Sequence, residues 1–133
     1  MTRDFTYVMD IVIALMQAGW SEKAIGEEMN IASAREIEIV ELAETINRLT
    51  DNKAGLVYTD RRKWDTKSRL LASIDKAKDL LGYDPQTTFE DGLEQTIQWF
   101  RENWESIKRD AEFPPGMSSA VKNYVLRQEQ EQA

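Results

Sequence analysis

The chain has 133 residues, 41% of them hydrophobic and 31% charged, and 17 Lys plus Arg stand against 24 Asp plus Glu for a net charge of -7. That is the profile of a single soluble domain with a moderate core, and its acidic field argues against nucleic acid as a partner, although a local arginine cluster can still hold a small anion. Cysteine and histidine are both absent, which excludes disulfides, thiolate zinc sites and Ser/His/Asp catalysis.

The first residues alternate, with Arg3 at one end of Phe5-Thr6-Tyr7-Val8, and feed a helix over residues 8–18 in which Val8, Ile11, Val12, Leu15 and Met16 recur at helical spacing. Gly19 is placed to end that helix in the left-handed conformation. The longest apolar run, residues 11–16, is far too short to span a membrane, and no basic-then-apolar leader precedes it; the expected setting is cytoplasmic, with no membrane partner. The Met29/Ile31 alternation within residues 24–32 predicts a short strand. Ile39, Leu42, Ala43, Ile46 and Leu49 then form a second helical stripe that stops at Thr50-Asp51-Asn52. Its start is open: Ser33 and Glu36 have capping-box spacing, while Ile37 and Ile39 continue an alternating pattern that delays the helix.

Residues 56–59, entered by Gly55 and rich in β-formers, predict a second strand. Ser73 is placed to cap a helix over residues 74–81, with Asp75 in its first turn and Gly82 as its stop. Thr88 and Asp91 open the longest helix, whose Leu93, Ile97, Phe100, Trp104 and Ile107 share a face up to Pro114-Pro115. Trp99, Phe100 and Trp104 are expected in or at the edge of the core. The overall expectation is a helix-rich α/β fold of about four helices and two short strands, with a domain over residues 1–116 and a partly flexible tail over 117–133.

Two basic strings carry the candidate chemistry. An arginine fixed at position 3 can make bidentate, charge-assisted bonds to a phosphate, each worth about 1.5–3 kcal/mol when sheltered from water. Arg61-Arg62-Lys63-Trp64-Asp65 follows the second predicted strand, where a loop can present cations to a diphosphate and a carboxylate to a ribose hydroxyl. Taken singly, the first string is also an ordinary Arg/Asp surface pair and the second a solvated loop of mixed charge. Gly26 and Gly55 are isolated and form no phosphate-cradling pattern, and neither Tyr7 nor Tyr58 has a lysine four residues on, so the chain has no dinucleotide loop and no Tyr/Lys catalytic pair.

In combination these strings are more specific. The octapeptide at residues 3–10, Asn30-Ile31-Ala32-Ser33, Arg62-x-x-Asp65, Ser73-Ile74-Asp75-Lys76-Ala77-Lys78, Leu80-Leu81-Gly82-Tyr83-Asp84-Pro85 and Phe89-Glu90-Asp91-Gly92-Leu93 follow one another in an order that resembles the C-terminal part of extended short-chain dehydrogenase/reductases. The resemblance is to NAD-dependent nucleotide-sugar epimerases and dehydratases of the UDP-glucose 4-epimerase type, over residues 2 to about 112. It implies that Arg3 and Arg62 hold the substrate diphosphate and that Asp65 meets the ribose; the register also admits Arg61 in place of Arg62. It implies no catalytic, cofactor-binding or metal-binding residue in this chain, because the family's N-terminal half, with its glycine loop and catalytic Tyr and Lys, has no counterpart here. NAD belongs to the complete enzyme. Ala34 stands where many relatives carry glycine, which is expected to alter that turn.

Two functions follow as expectations. The first is a substrate-binding segment of an epimerase or dehydratase, beginning inside the parent sequence, inactive alone and binding a nucleotide-diphosphate sugar weakly. The second is a non-enzymatic interaction module derived from such an enzyme, docking on a cofactor-domain partner or on itself through helix-one residues such as Ile11, Ile13 or Leu15.

Overall fold

The computed structural model describes residues 1–60 and 66–110, so the expected tail at 117–133 and the string at 61–65 lie outside the described residues. The described chain forms β1 (Thr2–Arg3), α1 (Val8–Trp20), a 3-10 turn (Glu22–Ala24), β2 (Ile37–Glu38), α2 (Ile39–Leu49), α3 (Asp75–Leu81), α4 (Phe89–Glu102) and α5 (Trp104–Asp110). It divides into one compact unit, Met1–Ile97, and a second, Gln98–Ala133. The helix-rich α/β class is as expected, and among the described residues five helices stand where about four were expected.

Both strands lie elsewhere than predicted. β1 and β2 pair antiparallel, Thr2 opposite Glu38 and Arg3 opposite Ile37, and Thr2 also forms a parallel bridge with Arg69. Residues 29–31 keep the inward-outward alternation, with Met29 and Ile31 half-buried and Asn30 exposed, but no neighbouring strand pairs with them and they stay irregular. Residues 56–59 form no strand either: Val57 and Tyr58 stand exposed, because β propensity without a partner edge has no ladder to join.

Alternation prevails over the capping box at the start of α2. Glu38 holds extended backbone (φ -73°, ψ 143°) and the helix begins at Ile39. The Ser33 hydroxyl is engaged elsewhere, donating to Asp4 Oδ1 at 2.5 Å and accepting from the Arg35 N–H at 3.2 Å, so it caps nothing. α2 stops as predicted: Thr50 Oγ1 donates to the Ile46 carbonyl at 2.7 Å and Asp51 turns left-handed at φ 53°.

α1 does not end at Gly19. It runs through that residue to Trp20, and Ser21 leaves it in extended geometry with its N–H on the Ala18 carbonyl. α3 starts one residue later than predicted, although Ser73 Oγ still meets the Asp75 N–H at 3.4 Å, and Gly82 closes it with the expected left-handed φ of 67°. At α4 the Thr88 hydroxyl accepts the Asp91 N–H at 3.1 Å and donates to its carboxylate at 2.5 Å. The long predicted helix is interrupted at Asn103, whose side-chain amide competes for the Trp99 carbonyl at 2.9 Å.

The core of the first unit is Ala14, Ala32, Ile74, Ala77 and Tyr83, with Met29, Ile31, Ala72 and Leu81 packed around it. Alanines at 14 and 77 let α1 and α3 approach closely. Tyr83, 2% exposed, is the large side chain fully buried among the described residues, and its hydroxyl donates to the Ala32 carbonyl at 3.0 Å. Trp99, Phe100 and Trp104, expected in or at the edge of the core, are not in its interior; each is about half exposed. Trp99 and Phe100 pack edge to face at 5.3 Å, and the described part of that unit is a helical run with no second layer to bury them.

Ala34 takes a left-handed turn at φ 56°, the conformation glycine adopts without strain. A side chain there costs about 1–2 kcal/mol, partly offset by the lower entropy of alanine in the unfolded chain. Ala34→Gly is therefore expected to stabilise the protein by about 0.5–1 kcal/mol, measured as a rise in the urea midpoint at unchanged m-value.

Candidate functional site

β1 is the middle member of a three-segment arrangement. On one side it pairs with β2, and the Ile39 N–H continues the contact to the Met1 carbonyl at 2.9 Å; on the other the Thr2 N–H donates to Ser68 O at 2.9 Å and Leu70 N–H to Thr2 O at 3.3 Å. A two-residue ladder is too short to hold itself, so side chains must fix it.

Asp4 provides the fixing. Its Oδ1 accepts the Ser33 N–H at 3.0 Å and the Ser33 hydroxyl at 2.5 Å, and its Oδ2 accepts the Ala34 N–H at 3.1 Å and the Ala72 N–H at 3.5 Å. Thr6 Oγ1 shares the Ser33 N–H at 3.1 Å. The left-handed Ala34 aims two successive N–H groups at one carboxylate, an anion-holding turn built from backbone. The sequence offered an Arg3/Asp4 surface pair; the structure turns Asp4 onto residues 33, 34 and 72 instead.

Arg3 is half-buried and points the other way. Its Nη1 donates to the Thr2 carbonyl at 2.7 Å and its Nη2 to the Lys67 carbonyl at 3.3 Å. Lys67 follows Asp65 by two residues, so the segment gripped by Arg3 is the one into which the second basic string runs. Arg61, Arg62 and Asp65 lie outside the described residues.

A neighbouring cluster had not been expected. Glu36 takes Arg69 Nε on both oxygens, at 2.7 and 2.9 Å, and the Thr2 hydroxyl at 2.5 Å. The Arg69 bond first, and the Thr2 bond second, hold the Glu36 carboxyl at about 2 instead of 4.5. This staple joins β1, the residues before β2 and the 68–70 segment. No sequence signal marks it, because the three residues are up to 67 positions apart and of ordinary surface types. Among the described residues no cluster of three or more acidic side chains is arranged to hold a metal.

A family profile described as GDP-mannose 4,6 dehydratase matches residues 1–96. The chain belongs to this family of nucleotide-sugar epimerases and dehydratases. It is 37% identical over 106 residues to a UDP-N-acetyl-alpha-D-glucosaminuronate decarboxylase of Bacillus cytotoxicus, covering 76% of this chain and 33% of the relative. It is 38% identical over 108 residues to a UDP-glucuronate 4-epimerase of Thermodesulfobacterium geofontis, covering 80% and 32%. Among solved structures, an epimerase of Methanothermobacter thermautotrophicus is 55% identical with a TM-score of 0.79, over 81% of this chain and 32% of that one. A Bordetella bronchiseptica enzyme in complex with NAD+ and UDP is 33% identical with a TM-score of 0.67, over 82% and 32%.

The chain thus spans about a third of the length of its relatives. Family membership explains the order of the six motifs, and the structure shows what several of them do: Asp4, Ser33, Ser73 and Gly82 are tied into turns and helix ends. β1 enters α1 through residues 4–7 with no glycine, and β2 runs directly into α2, so neither strand-to-helix passage forms a phosphate cradle.

Two measurements test the clasp and the staple. Asp4→Asn removes a charged acceptor from several donors and is expected to cost about 2 kcal/mol or more in urea unfolding. A carboxyl held below its ordinary value stabilises the fold above about pH 4.5 and loses that contribution as pH falls toward 2. Glu36→Gln should therefore flatten the acid limb of a stability-against-pH profile over that window and leave the alkaline limb unchanged.

Proposed function

We propose that the chain is the substrate-holding segment of a nucleotide-sugar epimerase or dehydratase, in which Arg3 and Arg62 grip the diphosphate and Asp65 meets the ribose, with Arg61 as the neighbouring alternative to Arg62. The supporting observation is the placement of Arg3: its guanidinium is oriented by two backbone carbonyls, one of them in the segment that follows Asp65. A planar fork fixed in this way loses less freedom on meeting a phosphate than a free arginine would. The similarity to an enzyme in complex with UDP is in keeping with this assignment.

On this reading the chain binds and does not turn over. It supplies no glycine loop for NAD and no Tyr/Lys pair for proton transfer, so hydride chemistry on a sugar carbon belongs to a complete enzyme. Binding by this segment alone is weak, because it offers part of a pocket wall. A second reading, a non-enzymatic interaction module derived from such an enzyme, draws on the apolar outer face of α1.

Titration calorimetry with UDP tests the first reading. Measurable heat that falls about ten- to a hundredfold in affinity in Arg62→Ala supports it, as expected for one lost charge-assisted contact. Arg3→Lys, which keeps the charge and loses the fork, should also weaken binding. Unchanged affinity in both variants, or binding of NAD by the chain alone, would contradict it.

A further inference from the structure

Arg3 is oriented by carbonyls of two different segments, Thr2 O at 2.7 Å and Lys67 O at 3.3 Å. Its guanidinium keeps that direction only while the two segments keep their spacing. Asp4 secures the β1 side through residues 33, 34 and 72, but those bonds do not reach residues 66–71. Burial does not hold Lys67 in place either, since residues 66–71 are all exposed and lie outside the core. The backbone joins this segment to β1 by the Thr2 N–H on the Ser68 carbonyl at 2.9 Å and the Leu70 N–H on the Thr2 carbonyl at 3.3 Å. Two bonds of an isolated bridge, open to water, open easily on their own.

Glu36 bridges the two segments by its side chain. Its Oε1 accepts both the Thr2 hydroxyl at 2.5 Å and Arg69 Nε at 2.7 Å, and its Oε2 accepts Arg69 Nε at 2.9 Å. Thr2 is the residue whose carbonyl meets Arg3 Nη1, and Arg69 stands two positions beyond Lys67, whose carbonyl meets Arg3 Nη2. One carboxylate thus sets the spacing across which the arginine is stretched. The pair is open to solvent, with the Arg69 side chain 64% and the Glu36 side chain 28% exposed. Ion pairs so placed contribute little to overall stability, so the effect of this one falls on local order.

We propose that Glu36 and Arg69 are positioning residues for Arg3: by fixing the span between Thr2 and Lys67 they hold its guanidinium in the direction in which it meets a ligand phosphate. The ligand in this statement rests on the diphosphate reading, whereas the ordering of Arg3 does not. Without the staple Arg3 keeps its charge and its place in the chain but loses its fixed direction. A phosphate would then have to order the side chain as it binds, which lowers affinity.

The first measurement needs no ligand. Nitrogen-15 relaxation of the Arg3 Nε–H, assigned by its absence in Arg3→Lys, is expected to give an order parameter above about 0.6 in the native chain and well below that in Glu36→Ala, while the backbone amides of α1, α2 and α3 keep theirs. The second is a double-mutant cycle by titration calorimetry with UDP. Glu36→Ala is expected to weaken binding about three- to tenfold where Arg3 is present and to add nothing in the Arg3→Ala background, because it acts through that residue. Arg69→Met, at a mostly exposed side chain, breaks the same pair and should reproduce both results, including the case in which Glu36→Ala impairs folding. An Arg3 order parameter that ignores both substitutions overturns the proposal. So does a loss of order that spreads to the helices, which would make the staple a part of the fold and not of the site, and so does a weakening of UDP binding that is as large without Arg3. UDP affinity that ignores Arg3→Ala, while Arg3 still loosens in Glu36→Ala, upholds the positioning and removes the diphosphate reading instead.

Discussion

The carboxylate of Asp4, with the Glu36 staple beside it, holds in register three segments far apart in the chain. It receives N–H groups from positions 29, 30 and 68 residues further along the chain, plus one hydroxyl. A two-residue antiparallel pair and a single parallel bridge cannot pay their own ordering entropy. A charged acceptor meeting several donors gives roughly twice the strength per bond of neutral pairs, and it does so at the centre of the three segments. The same demand explains the left-handed Ala34: the turn accepts backbone strain because that conformation aims the Ser33 and Ala34 N–H groups at one oxygen pair.

Around this clasp the apolar core is small, and three of its five buried residues are alanines. Small side chains bring α1 and α3 close but contribute little buried area, so polar contacts do an unusual share of the fastening. Tyr83 is tied to the Ala32 carbonyl one residue before the clasped turn, and burial, followed by the Asp10, Asp4 and Asp84 charges, pushes its phenol above the ordinary value. Ser21 reaches the Leu80 carbonyl and Lys76 pairs with Glu27, again joining α1's exit and α3. The apolar residues that would fill a larger core are present in the chain, but on α1 they face outward.

Legibility in the sequence follows the range of the interaction concerned. Helices α1, α2, α3 and α4 were readable because their stripes, the Thr88 cap and the Gly82 stop act within a turn or two. The strands were not: β1 and β2 are two residues each, and pairing Thr2 with both Glu38 and Arg69 is a tertiary fact that propensity at residues 29–31 or 56–59 cannot supply. The direction of apolar faces was also hidden. A helical stripe announces that a face will be covered but not by which part of a protein, and so Trp99, Phe100 and Trp104 were assigned to a core or its edge, whereas the described residues leave each about half exposed. At the site, Arg3 stands in an extended piece, as the alternation there predicts, whereas the task of Asp4 depended on knowing that residues 33, 34 and 72 converge on it.

The pairing of Arg3 with Asp4 in one dipeptide has a geometric sense. Successive side chains on an extended segment leave on opposite sides, so Thr2 and Asp4 go one way and Arg3 the other. On the first side Asp4 is taken up by the clasped turn and Thr2 by Glu36, which Arg69 also binds. On the second, Arg3 grips the Lys67 carbonyl. One step along the chain therefore divides an anion that builds the scaffold from a cation that the scaffold aims, and the order of dependence runs from the clasp to the turn, from the turn to β1, and from β1 to the guanidinium. A residue that merely neutralised Arg3 would leave it no such orientation; Asp4 fixes the arginine by holding the strand on which it stands.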